Sequence, residues 1–335
     1  MSLGTPYDYL RAPPPPPSPD FAGIQKLVRQ ATRSSRVVVQ QVERLQNTLH
    51  RKYVLRMTDG SSLLLKCPPS NSTRILRHEQ QNLSTEAEIL SLLATNAPHI
   101  PIPRLLKQDQ SCRSIIDSPY VLRSHLRGTS LDTISTNITS EERRQIDRTI
   151  GMRLRTISML TAPSYGPSPR VLAGTGYPTW RQAFTSMLEA ILQDAEDMLV
   201  LVPYVAVRSE VARHASVLDE VVEAKLVPMD VGTERNVLID ERSKEVVGLL
   251  SWGGCVWGDP YLATVFGEDW VGEAFWEGWG ECPARIGSVQ VRHLLYLVYR
   301  SVLSVITQYI RPELGGDELE ARRTLMRALS QLSMF

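Results

Sequence analysis

Residues 226–260 read LVPMDVGTERNVLIDERSKEVVGLLSWGGCVWGDP. In a second half that is otherwise helical in its apolar spacing, this stretch carries two strand-like runs, NVLID (236–240) and EVVGLL (245–250). The turn-forming residues Glu241-Arg242-Ser243-Lys244 separate them, so the segment predicts a β-hairpin. Ahead of the hairpin, Asp230 and Asn236 stand on a connecting loop. An Asp so placed can orient and deprotonate a hydroxyl, and an Asn further along the loop can turn back to ligate a metal near a transferred phosphate. Taken in isolation, an Asx-turn is the preferred explanation of either residue.

Outward from the hairpin the pattern is helical. Residues 141–160, 180–200, 203–222 and 290–310 all place apolar side chains at three and four spacing. Upstream the character changes. FAGIQKLVRQATRS (21–34) predicts a short amphipathic helix and VVVQQVERL (37–45) a strand, while KYVLRM and SSLLLKCP predict a second hairpin turned at Asp59-Gly60. A polar segment, 68–81, leads into the helix LSTEAEILSLLAT, for which Ser84 or Thr85 is the expected N-cap. HIPIPRLLKQD and the strand candidate PYVLRSHL complete this region.

The expected architecture is α+β: a Pro-rich tail without regular structure (1–20), a small β-rich lobe with one key helix (21–127), and a mainly helical large lobe (128–335). The large lobe carries the loop-hairpin 226–240 and a Trp-rich segment, 252–281. A cleft between two lobes is the expected ligand site.

Composition narrows the function. The chain has 335 residues, 42% of them apolar, which is enough for a substantial core. Thirty-seven basic against 36 acidic residues leave a net charge of +1, so the electrostatic footprint of a nucleic-acid or anionic-membrane binder is absent. Cys67, Cys112, Cys255 and Cys282 form no CxxC pair and read as reduced thiols. No apolar leader or spanning stretch is visible, and the expected location is cytoplasmic. Pro13–Pro17 reads as extended polyproline, either a plain tail or an SH3-type ligand.

Two further residues draw attention. Lys66 ends the apolar run LLLK and needs solvent or an acid. Glu86 falls on the same helical face as Leu83, Ala87, Leu90 and Leu93 and should point inward, with Glu88 on the flank. An ion pair between Lys66 and Glu86 is one reading; a snorkelling Lys and an edge Glu is the other.

In combination these motifs resemble the aminoglycoside phosphotransferase family, whose fold is protein-kinase-like. The family signature, His-Gly-Asp, an Asn, three hydrophobic residues and Asp, then a strand ending in Asp-Trp or Asp-Phe and Gly-Asp-Pro, is similar to 228–260. TEAEILSLL with IPIPRLL resembles its αC-like helix and next strand, and PYVLRSHLRGTSL its interlobe hinge. The resemblance covers roughly Val38 to Tyr309 and marks a divergent, fungal-type member. It implies that Lys66 holds the α and β phosphates of ATP, Glu86 fixes Lys66, Asp230 is the catalytic base and Asn236 a magnesium ligand. Asp259 matches a mainly structural position.

The sequence also departs from that family. Ser251 stands where the second metal-binding acid belongs, and a neutral hydroxyl does not replace a carboxylate on a hard cation. Pro228-Met229 replaces the His-Gly before the base, and RLQNTLHRKYVLRM has no glycine-rich phosphate loop, leaving Asn47 and Thr48 to cover a nucleotide. Asp240 begins a turn at the far end of the hairpin and is not expected to substitute.

Five of six tryptophans, Trp252, Trp257, Trp270, Trp276 and Trp279, fall within 28 residues among Glu268, Asp269, Glu273, Glu277 and Glu281. They suit either a pocket for a flat or cationic substrate or a loop pinned by its rings. Three functions follow: ATP-dependent phosphorylation of a small-molecule hydroxyl, weakened by the loss at Ser251; a pseudokinase; or an enzyme repurposed in fungal secondary metabolism. The implied partner is a small molecule, with no nucleic acid or membrane. Nothing in the sequence sets the oligomeric state.

Overall fold

The computed structural model describes residues 19–335, so the proline run lies outside the described residues. The chain divides into two compact units. One takes the described residues up to Ile75 with Leu106–Leu122, and the other takes Leu76–Leu105 with Arg123–Phe335. No helix among the described residues is long and apolar enough to cross a membrane.

In the first unit, α1 (Phe21–Thr32) starts at Asp20, whose carboxylate accepts from the Gly23 N–H. It ends at Arg33, which takes the left-handed conformation (φ 51°) and lets its N–H cap the carbonyls of Arg29 and Gln30. Strands β1 (Val39–Leu45), β2 (Arg51–Met57), β3 (Ser62–Cys67), β4 (Leu105–Asp109) and β5 (Tyr120–Ser124) form a sheet in the order β1-β2-β3-β5-β4. The β2–β3 pair is the expected antiparallel hairpin around Asp59-Gly60. The Gln25 amide clamps α1 to β1 through Val37 O and Val39 N, and Ile24, Leu27 and Val28 cover Leu55, Leu65 and Leu122.

The second unit begins with a 3-10 turn, Arg77–Glu79, and α2 (Asn82–Asn96). Ser84 and Thr85 are not its N-cap. They lie inside the first turn, and both hydroxyls donate back to the Gln81 carbonyl. The helix starts earlier because residues 77–81 already turn, held by side-chain contacts that a polar sequence does not announce.

After α2 come β6 (Thr129–Ser130), α3 (Leu131–Ile134), α4 (Ser140–Ser158), β7 (Thr161–Ala162), β8 (Gly166–Pro167), α5 (Ser168–Leu172), α6 (Trp180–Asp197) and α7 (Tyr204–His214). β9 (Ala224–Pro228), β10 (Val237–Ile239), β11 (Val246–Leu249) and β12 (Cys255–Gly258) follow, then α8 (Glu273–Trp279), α9 (Gly287–Ile310) and α10 (Glu318–Leu332). The four expected helices are α4, α6, α7 and α9; α7 stops early and continues as a 3-10 turn, Ala215–Glu220. α8 and α10 fall outside the expected set.

The expected hairpin forms as β10–β11, with Val237 opposite Leu249 and Leu238 opposite Gly248. Beside it, β9 and β12 pair in a four-stranded sheet ordered β7-β9-β12-β8. Asp230 therefore leaves the end of β9, and Ser251 leaves the end of β11. α4 is fixed by a Thr139–Glu142 capping box and buries Ile146, Ile150, Leu154 and Ile157. α8 crosses it at backbone contact. A Cβ on Gly151 would stand 2.2 Å from Phe275 O, and one on Gly278 would stand 1.9 Å from Arg148 O.

Candidate functional site

The loop after β9 is built around Asp230. Thr233 Oγ1 donates to the Asp230 carbonyl at 2.9 Å, and Asn236 Nδ2 donates to the same carbonyl and to Thr233 Oγ1, both at 3.0 Å. This closes the loop on itself, and the structure brings Asp230 and Asn236 together. Gly232 permits the tight path with φ 92°, and a Cβ there would press on Leu154 at 2.8 Å.

Thr264 holds the Asp230 side chain. Its hydroxyl donates to Asp230 Oδ1 at 3.2 Å, and its N–H donates to Met229 O at 2.8 Å. The carboxyl keeps solvent contact, yet the protein packed around it raises its pKa by desolvation; the Thr264 bond and the charge of His78 act against that rise. His78 in turn is held below its usual range by desolvation, with Glu79 and Asp230 acting in the opposite sense. A carboxylate tuned upward, oriented by a hydroxyl and open to solvent suits proton acceptance.

Ser251 adopts φ 78° and ψ 51°, the left-handed region that Asp and Asn tolerate better than most side chains. Asp240 accepts from Arg242 N at 3.0 Å and Ser243 N at 2.8 Å, which close its turn and lower its pKa. Among the described residues, no group of three or more His, Cys, Asp or Glu side chains is gathered to hold a metal ion.

In the second unit Glu86 is buried and faces inward, as the helical spacing requires, while Glu88 is exposed. Its Oε1 lies 2.9 Å from Arg123 Nε, and both side chains are buried. In the first unit Lys66 is buried on β3. In the turn between β1 and β2, Asn47 is left-handed (φ 52°) and the Thr48 hydroxyl donates to His50 O at 2.7 Å.

No known protein-family profile matches the sequence, and no curated protein matches it. Solved structures do. A Ralstonia eutropha protein assigned as an aminoglycoside phosphotransferase superposes with a TM-score of 0.66 at 11% identity, covering 94% of this chain and 98% of its own. A Thermobifida fusca protein assigned as a fructosamine-3-kinase gives 0.60 at 16%, covering 93% and 99%. The streptomycin–ATP complex of aminoglycoside phosphotransferase APH(2")-IIa gives 0.56 at 14%, covering 94% and 96%. The fold is protein-kinase-like. At these identities the likeness carries the fold alone, and function rests on the side chains.

Within this kinase-like fold, α2 is anchored by contacts inside its own unit. Arg77 N and Nη1 donate to Asp194, and Glu79 accepts from Arg311 Nη1 and Nη2 at 2.9 and 2.6 Å. With its amide oriented to match its neighbours, Asn82 donates to His78 O at 3.1 Å and to Gly253 O at 2.9 Å. Gly253 is obligatory at that approach, since a Cβ would meet Asn82 O at 2.8 Å.

The Trp-rich segment is largely packing. Trp252 and Trp257 are buried in the core, and Trp270, Trp276 and Trp279 pack in a ring cluster with Phe266 and Phe275. The hollow beside them, lined by Tyr261, Phe266, Trp276 and His293, has a volume of about 20 Å³, room for a single water-sized group. Asp259 is a buried hub: it accepts from Tyr296 Oη at 2.7 Å and Tyr261 N at 3.1 Å, and it faces Arg292 Nε at 3.1 Å. Reading the sequence missed Thr264, His78 and Arg123, because no spacing rule links any of them to its partner.

Proposed function

We propose that this protein is a kinase-like phosphotransferase acting on the hydroxyl of a small molecule, with ATP as phosphoryl donor and with turnover weakened at the metal position. The observation that carries the reading is Asp230 itself, oriented by the Thr264 hydroxyl on a loop that Thr233 and Asn236 close, with its pKa raised by desolvation. Asp230 takes the acceptor hydroxyl proton as the acceptor oxygen bonds to the γ-phosphorus; the bond from that phosphorus to the bridging oxygen breaks, and ADP leaves. Lys66 supplies positive charge for the α and β phosphates.

Magnesium ordinarily assists this chemistry, and the residues present fit it poorly. Asn236 turns its Nδ2 into the loop, which leaves its Oδ1 as one neutral ligand, but Asp240 is committed to its turn and Ser251 offers a neutral oxygen in place of an acid. Loss of one such acid costs on the order of two decades in rate. The same fact favours a second reading, a kinase-like protein that binds a small molecule without phosphoryl transfer.

ATP turnover by wild type, Asp230→Asn and Ser251→Asp separates the two. The left-handed Ser251 backbone is one that Asp tolerates better than most side chains, so Ser251→Asp should raise magnesium-dependent turnover about a hundredfold, and Asp230→Asn should lower it by about two to four decades. Absence of turnover in both wild type and Ser251→Asp would overturn the proposal.

A further inference from the structure

Glu234 lies in the 3-10 turn that carries Asn236, inside the Asp230 loop. Arg143 of α4 reaches it: Nη1 donates to Glu234 Oε1 at 2.6 Å, while Nε donates to Asp147 Oδ1 at 2.7 Å, one helical turn along. Two acceptors on different edges fix the plane of the guanidinium. The Trp270 ring covers that plane, its centroid 4.9 Å from Arg143 Cζ. Ile150 and Leu154, further along α4, meet Gly232 of the same loop.

We infer that Arg143 is a positioning residue for the Asp230 loop, clamping it to α4 through Glu234 under the cover of Trp270. The inference rests on the proposed role of Asp230 for its catalytic meaning, but not for its geometry. The bonds from Thr233 and Asn236 close the loop on itself without attaching it to anything. Side-chain hydrogen bonds attach it through Thr264 on one side and Arg143 on the other, beside the packing at Gly232 and the bond from Leu250 N to Asn236 O. Pro228, which stands where the related pattern has His, has no side-chain donor for such a brace.

The cluster is a poor source of stability. Arg143 Nη2 and Trp270 Nε1 are buried without an acceptor among the described residues, and desolvation raises the Asp147 carboxyl despite Arg143 beside it. What it secures is geometry. It also gives one of the clustered tryptophans a task at the site: Trp270 covers one face of the Arg143 guanidinium.

Hydrogen exchange read by mass spectrometry on the full chain tests this without nucleotide, using Glu234→Gln and Arg143→Lys. Glu234→Gln removes the charge on the loop and leaves Arg143 paired to Asp147; Arg143→Lys keeps a cation without the fork. Peptides covering 230–236 should exchange about tenfold faster in Glu234→Gln, and by less in Arg143→Lys, as expected for loss of a charge-assisted bond. Peptides from α9 and α10 should not change. Unchanged exchange at 230–236, or a rise spread evenly over the chain, would overturn the clamp. With turnover detectable, Glu234→Gln should lower kcat and leave the KM for ATP near wild type; a rise in KM at constant kcat would overturn the positioning role. If neither wild type nor Ser251→Asp shows turnover, the phosphotransfer reading fails while the exchange result still decides the clamp.

Discussion

Thr264 grips Asp230 twice, its hydroxyl on the carboxylate at 3.2 Å and its N–H on the preceding carbonyl, Met229 O, at 2.8 Å. One residue thus bears on both the side-chain direction and the backbone path of the candidate base. Thr264 is itself placed by the turns that follow Asp259, whose carboxylate caps Tyr261 N and is locked by Tyr296 and Arg292. Tyr296 also accepts from Trp180 Nε1 at 2.8 Å, so a buried chain of polar contacts runs from α6 and α9 toward the base.

Replacing Thr264 by Val keeps the shape and removes the hydroxyl. That bond opposes the rise in the Asp230 pKa, so its loss should raise the carboxyl further. A base must be deprotonated to act, and the acid limb of the rate profile should therefore move to higher pH. Thr264→Ser should restore it. A pH–rate series over the three proteins checks this; an unmoved acid limb in Thr264→Val would show that the contact has no bearing on Asp230.

The pair Glu79–Arg311 ties the start of α2 to the end of α9 with both side chains buried. Truncating either partner to Ala leaves an uncompensated charge and should cost about 3 to 5 kcal/mol in denaturant unfolding. The double replacement Glu79→Ala with Arg311→Ala should cost clearly less than the two single losses added together. Additive losses would mean that the pair is not energetically coupled.

His293 is lowered from its ordinary 6.5 to about 4, chiefly by desolvation and then by the nearby charges of Arg285 and Arg300. The folded protein thus holds this ring neutral where the unfolded chain would protonate it. Its contribution to stability is present above pH 6.5 and is lost as the pH falls toward about 4. Thermal melts across that interval should show a flatter decline for His293→Gln than for wild type. Parallel declines would place the acid sensitivity elsewhere.

Much of the fold is legible in the order of residues because periodicity is local. The spacing of NVLID and EVVGLL fixes the hairpin, and the spacing around Glu86 turns that carboxylate inward. The boundaries are less legible. Residues 77–81 look like polar connector, yet Arg77 and Glu79 are anchors, and they pull the start of α2 ahead of Ser84 and Thr85. Nothing in a polar run indicates that its acid meets an arginine 232 residues away.

Residue type and short-range spacing were enough to set the alternation of strand and helix, the loop that carries Asp230 and Asn236, and the absence of an acid at Ser251. Which groups surround them depends on how the elements pack. Thr264 rather than a neighbouring His steadies Asp230, Arg143 reaches the loop from α4, and Arg123 meets Glu86. Partners of buried charges are chosen by the approach of helices and strands distant along the chain, and that approach leaves no pattern in the sequence.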